Sequence, residues 1–179
     1  MRKIFIISGP AGAGKSTTAR KLAERLGQSA YIEGDAVNHM VVGGYEPPWR
    51  SKEALSLIWK NIASLSLNFL TANKQVVVDY VAFPTDVAAF AESIRRNIGE
   101  VEVRYTVLWT DETELLRRDA LRPEEEQMGK RCLELAKEFR EKEIEKRFFL
   151  WTTDKERADF EDILTEIEEN ARFIYEGSF

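Results

Sequence analysis

Eight consecutive residues, Gly9-Pro10-Ala11-Gly12-Ala13-Gly14-Lys15-Ser16, spell G-x-x-x-x-G-K-[ST] in full. They stand between an apolar run rich in β-branched residues, Lys3–Ser8, and a helical pattern, Lys15–Leu26. A glycine-rich turn can aim successive backbone N–H groups at one point without side-chain clash. The helix that follows adds the positive end of its dipole. Such a nest suits a polyphosphate, with Lys15 as a mobile charge for the β- and γ-phosphates, Ser16 as a hydroxyl for Mg²⁺ and Thr17 within reach of the α-phosphate. The four fixed positions would arise by chance in roughly one chain of this length in a hundred, so the flanking strand and helix are what make the motif decisive.

Short apolar runs alternate with helical patterns along the whole chain. Strands are expected at Lys3–Ser8, Ala30–Glu33, Gln75–Phe83, Glu102–Trp109 and Phe148–Thr152. Helices are expected at Lys15–Leu26, from Lys52 to Ala72 behind a Ser51 N-cap, and at Pro84–Ile98 with Gly99 as its stop. The stretch from Glu112 to about Lys146 reads as mostly helical with a break near Arg122-Pro123, and Asp154–Tyr175 as a final helix. Alternation of this kind predicts an α/β fold with a five-stranded parallel sheet flanked by helices, and together with the Gly9–Ser16 motif it leads to the expectation of a three-layer P-loop NTPase fold with a small mobile lid. That architecture puts ligands at the C-terminal ends of the strands. The 179 residues are expected to form a single domain, 1–179, with the lid at about 117–131.

Composition narrows the partners. A net charge of −5 disfavours generic binding to nucleic acid or an anionic membrane. The basic-then-apolar start, Met1 to Ile7, is too short for a signal core, and no run approaches a membrane span. The single cysteine, Cys132, permits no intrachain disulfide and reads as a helical packing residue. These features together lead to the expectation of a cytoplasmic protein.

On Gly9–Thr17, on the acidic residues that close the second strand and on an arginine cluster late in the chain, the sequence resembles the P-loop small-molecule kinases. That group includes gluconate kinase, shikimate kinase, chloramphenicol phosphotransferase and the zeta-toxin-like kinases. The resemblance implies an ATP-dependent phosphotransferase using Mg²⁺, acting on a hydroxyl of a gluconate-like polyol, an antibiotic or an amino sugar. Glu33 and Asp35 are two apart, so both face one side if the strand persists. The resemblance implies that Asp35 touches the acceptor hydroxyl and acts as general base, while Glu33 holds a Mg²⁺ water. Val76-Val77-Val78-Asp79 resembles a Walker B element, which makes Asp79 the alternative metal residue. Arg117, Arg118 and Arg122 are expected to supply lid arginines to the phosphates, with Arg118 and Arg122 favoured as catalytic.

The acceptor end is written less distinctly. His39 follows Asp35 by four residues, where related kinases carry a basic residue for an acidic acceptor; the only histidine of a chain is as readily a structural one. Tyr45, Trp49 and Arg50 lie in the loop Gly43–Arg50, which either covers the acceptor or packs as a stiff proline turn. Tyr80, past the third strand, is a further candidate, and Thr152 stands where it can lie near an adenine. Two other functions compete: a nucleoside or nucleotide kinase, and a nucleotide-dependent regulatory NTPase without a small-molecule acceptor.

Overall fold

The computed structural model describes residues 1–121, 123–124, 127–152 and 160–177. Strand β1 (Lys3–Ser8) is apolar almost throughout because it is covered on both faces, and Ile4 to Ile7 are fully buried. Helix α1 (Lys15–Arg25) follows, then β2 (Ser29–Glu33) and a five-residue helix α2 (Gly34–Asn38). Helix α3 (Lys52–Thr71) starts where Ser51 Oγ accepts from the Ala54 amide at 3.2 Å, the N-cap its sequence predicts. Strand β3 (Gln75–Asp79) and helix α4 (Pro84–Ile98) come next, the helix ending at Gly99. Strand β4 (Glu102–Trp109), helices α5 (Glu112–Asp119) and α6 (Lys130–Glu141), strand β5 (Phe149–Trp151) and helix α7 (Phe160–Glu169) complete the order.

All strand pairs are parallel, in the order β2-β3-β1-β4-β5. The chain leaves β1, passes outside β3 to form β2, returns to β3 and then crosses back over β1 to β4. The crossover direction therefore reverses at β1, and a crevice opens at its C-terminal end, where the residues after Ser8 lie. Helix α1 packs against β1, β2 and β3, and α3 packs against α4 and the β2–β3 part of the sheet.

The observed elements sharpen or correct the expected ones at four places. The third strand stops at Asp79 rather than Phe83, because the chain there is drawn out of the sheet toward β1. The Ser8 hydroxyl donates to the Ala82 carbonyl at 3.1 Å and accepts from the Ala82 amide at 2.9 Å, and the Tyr105 hydroxyl donates to the same carbonyl at 2.7 Å. The second strand does not persist past Glu33, so period-two reasoning does not carry to Asp35, which sits on α2. The long helical stretch divides into α5 and α6, where the buried Asp119 carboxylate accepts from the amides of Met128 and Gly129. Finally, α7 ends at Glu169: Ala171–Phe173 is a 3₁₀ turn, and Ile174 forms an antiparallel bridge to Arg104. Residues 154–159 of the expected last helix lie outside the described residues.

Candidate nucleotide and acceptor site

The loop from Gly9 to Ser16 is shaped by close approach as well as by backbone freedom. Gly9 has φ 136° and Gly12 has φ 81°, both in the region L side chains avoid. A Cβ at Gly9 would run into the backbone carbonyl of Leu108 at the end of β4, and one at Gly12 would lie 2.7 Å from the carbonyl oxygen of Leu115. The loop is thus wedged between β4 and α5, with its own residues Pro10, Ala11 and Ala13 buried. Gly14 caps α1, and Lys15 folds back so that Nζ donates to the Pro10 carbonyl at 3.1 Å. Ser16 and Thr17, the next two residues of the helix, are exposed.

The carboxylates of Asp79 and Glu33 close neighbouring strands in register, Glu33 beside Asp79 and Asp79 beside Ile7. Asp79 is buried and accepts a hydrogen bond from the Tyr31 hydroxyl, while Glu33 lies 3.5 Å from the Arg20 guanidinium on α1. Arg20 also stacks over the Tyr31 ring at 4.5 Å. Burial, then the negative charge and acceptor of Asp79, push the Tyr31 hydroxyl pKa well above its ordinary value. Tyr31 was not singled out from the sequence; its signal is the same two-residue spacing that links it to Glu33.

Asp35, exposed on α2, forms a second group with His39, Tyr45 and Tyr80. Burial, then Asp35 and Asp86, raise the Tyr80 hydroxyl pKa. Gly34 leaves room for that ring: a Cβ there would overlap the Tyr80 side chain. Asn38 Nδ2 donates to the Tyr45 hydroxyl at 3.1 Å, and the His39 and Tyr45 rings lie 6.0 Å apart. A cleft of about 190 Å³ opens between α2, the following loop and α3, with Tyr45 on its wall. Arg50 is exposed and does not line it, while Trp49 lies under the Arg131 guanidinium of α6 at 5.8 Å.

The arginines of α5 are engaged with neighbouring groups of the protein. Arg117 grips Glu114 through two nitrogens at 2.6 and 2.7 Å. Arg118 donates to Glu114 at 2.6 Å and to the Oγ1 and carbonyl oxygen of Thr152 at 3.3 and 3.1 Å. Hydrogen bonds from Arg117 and then Arg118 hold the Glu114 carboxyl down at about 2. Arg122 lies outside the described residues. Among the described residues, no group of three or more His, Cys, Asp or Glu side chains is arranged to hold a metal.

A parallel sheet in this order, with a full phosphate loop at its reversal point, defines a kinase-like P-loop fold. Residues 4–142 match the family described as AAA domain, and the chain belongs to that family. Its backbone is similar to that of a sugar kinase from Janibacter sp. HTCC2649, with 15% identity, 96% of each chain covered and a TM-score of 0.65. It is also similar to a gluconokinase from Sinorhizobium meliloti 1021, with 19% identity, 93% and 91% covered and a TM-score of 0.61. The Mycobacterium tuberculosis APS kinase, solved with AMPPNP and APS, matches at 17% identity, 94% and 98% coverage and a TM-score of 0.64. No curated protein sequence matches the chain. No described helix is long and apolar enough to cross a membrane.

Proposed function

We propose that this protein transfers the γ-phosphoryl group of ATP to a hydroxyl of a small molecule. The observation that carries this reading is that a phosphate loop following β1 and the helix α2 following β2, which bears Asp35 and lines a small cleft through Val37 and Asn38, both stand at the C-terminal ends of the parallel strands. The backbone N–H groups from Ala11 to Thr17 wrap the phosphates, and Lys15 leaves the Pro10 carbonyl to meet the β- and γ-phosphates. The acceptor oxygen attacks Pγ, the bond from Pγ to the bridging oxygen breaks, ADP departs, and Asp35 takes the hydroxyl proton. Arg117 and Arg118 exchange Glu114 and Thr152 for the transferring phosphoryl when residues 117–131 close as a lid.

The donor set suits Mg²⁺, which takes one or two protein oxygens and completes its shell with phosphates and water. Ser16 offers a hydroxyl, and Asp79 or Glu33 a carboxylate at the strand ends. Bound there, the ion supplies charge neutralisation across the phosphates. The cleft favours a transferase over a regulatory NTPase, which needs no acceptor pocket.

Two variants test the assignment. ATP–Mg²⁺ is expected to raise the melting temperature of the wild type and to lose most of that effect in Lys15→Ala; equal shifts in both would refute the phosphate loop. Asp35→Asn is expected to leave ATP affinity intact and to cut turnover by about 10²–10⁴-fold. Undiminished turnover removes Asp35 from the role of base.

A further inference from the structure

Asp79 closes β3 beside Ile7, two residues before Gly9 and the phosphate loop. It is only 4% exposed, and among the described residues it forms no salt bridge. Its one hydrogen bond among them comes from the Tyr31 hydroxyl, to Oδ2 at 2.9 Å, and Oδ1 has no donor. A carboxylate buried with one oxygen unpaired calls for a donor or a cation from outside the chain. Glu33, the other carboxylate at these strand tips, is far more exposed and lies 3.5 Å from the Arg20 guanidinium. Tyr31 pairs in register with Val77, two residues before Asp79, so the side chains of Val77 and Asp79 leave the same face of β3. The tyrosine ring spans that offset along the strands and carries its hydroxyl to the tip of β3. Arg20 covers the ring at 4.5 Å and belongs to α1, the helix that begins at the phosphate loop. The donor is thus fixed from both β2 and α1, and its bond limits rotation of the Asp79 carboxylate while leaving Oδ1 open.

We propose that Tyr31 is a positioning residue for the metal carboxylate: by holding Oδ2 it orients Asp79 so that Oδ1 is kept for the water shell of Mg²⁺ bound with ATP. The inference rests on the phosphoryl-transfer reading above and decides between its two metal carboxylates in favour of Asp79. Tyr31 acts through Asp79 and not by contact with the ion or the nucleotide. An outer partner that fixes a metal-facing carboxylate typically contributes about 10–100-fold in metal affinity. Glu33 serves the other end of the same arrangement, since its charge faces Arg20, the cation that covers the Tyr31 ring. Phenylalanine at position 31 keeps the ring under Arg20 and removes only the donor, so Tyr31→Phe isolates the effect of the hydroxyl.

The test is the Kd of AMPPNP, measured by calorimetry in EDTA and again in saturating Mg²⁺. The ratio of the two constants is the gain in nucleotide affinity that the metal confers. In Tyr31→Phe that gain is expected to fall about tenfold, with the Kd in EDTA within about twofold of the wild type. A merely structural loss would move both constants together and leave the ratio unchanged. In an Asp79→Asn background the same substitution should lower the gain no further, because the carboxylate it acts through is gone. An unchanged ratio in Tyr31→Phe overturns the proposal, as does an equal loss with and without the Asp79 carboxylate. If Asp79→Asn alone lowers the gain, Asp79 keeps the metal role and only the positioning role of Tyr31 fails. If neither variant lowers it, the metal role passes to Glu33 and the proposal falls with it. The Tyr31→Phe ratio decides the matter even where Asp79→Asn does not fold. A wild type that binds AMPPNP in neither condition sinks the phosphate-loop reading as well.

Discussion

The Tyr31 hydroxyl donates a 2.9 Å hydrogen bond to Oδ2 of Asp79, across the pair of strands β2 and β3. The bond ties a buried carboxylate at the tip of β3 to an aromatic ring that Arg20 covers from α1. Tyr31→Phe is expected to lower stability by about 1–2 kcal/mol, measured as a shift in denaturant midpoint, because a carboxylate loses a partner in a desolvated place. Asp79→Asn should raise the Mg²⁺ concentration needed for ATP to protect the fold against melting. An unchanged Mg²⁺ requirement would pass the metal role to Glu33, with Glu33→Gln as the next variant.

Gly34 and Tyr80 occupy one another's space. The backbone at Gly34 is ordinary, so the constraint there is room for the ring and not a special dihedral. Gly34→Ala should destabilise by about 1–3 kcal/mol through overpacking. It should also raise the acceptor KM more than the ATP KM, since the proposed function puts Tyr80 and α2 on the acceptor side. In a Tyr80→Leu background the same change is expected to cost less; equal cost in both would show that the ring is not what the new methyl meets.

Arg118 is held by Glu114 and Thr152, so its proposed catalytic use requires those bonds to break. Arg118→Ala should lower kcat more than it raises the ATP KM. A loss of stability with kinetics unchanged would make it a clasp between α5 and the end of β5. The clasp has a pH signature. Glu114 titrates at about 2 in the folded protein against an ordinary 4.5, so its contribution is present above the ordinary value and is lost as pH falls through about 2. Glu114→Gln should flatten the acid limb of a stability profile in that window, by a modest amount because the pair is solvent-screened.

At the alkaline end three buried or half-buried tyrosines act together. Burial first, and neighbouring carboxylates after it, raise the hydroxyl pKa of Tyr31, Tyr80 and Tyr105 above the ordinary 10.0. The folded state therefore holds these protons more tightly than the unfolded chain. Their contribution is complete below pH 10.0 and is lost as pH rises through the higher folded values. Denaturant midpoints taken from about pH 8 to about pH 11 should fall steeply only above about 10. Tyr105→Phe, which also loses the bond to Ala82, should be less stable throughout and less steep in that limb. A midpoint that holds level past pH 10 would mean that these hydroxyls ionise without opposing the fold.

The strand Lys3–Ser8, the helix Pro84–Ile98, the strand Glu102–Trp109 and the Ser51 cap were legible because each is written in local terms: apolar runs, capping chemistry and glycine stops. The end of β3 was not, because it depends on Ser8 and Tyr105, which are distant in sequence from Ala82. The same holds for Phe173–Tyr175, which read as helix. Arg104, almost fully buried on β4, pairs with Glu102 and donates to the carbonyls of Ile167 and Asn170, and the Tyr175 amide donates to Val103 at 2.8 Å. Those partners, and not local propensity, decide the path of the segment.

The phosphate loop, the alternating strands and helices and the parallel sheet follow from the residues themselves, because turn geometry, burial on two faces and hydrophobic period are properties of neighbours along the chain. Which carboxylate meets Tyr31, how Arg118 is held, and how Tyr80 fills the space left by Gly34 were decided only when separate elements came together. Charge and shape in a cleft are sums over residues far apart in sequence, and no local pattern encodes that sum.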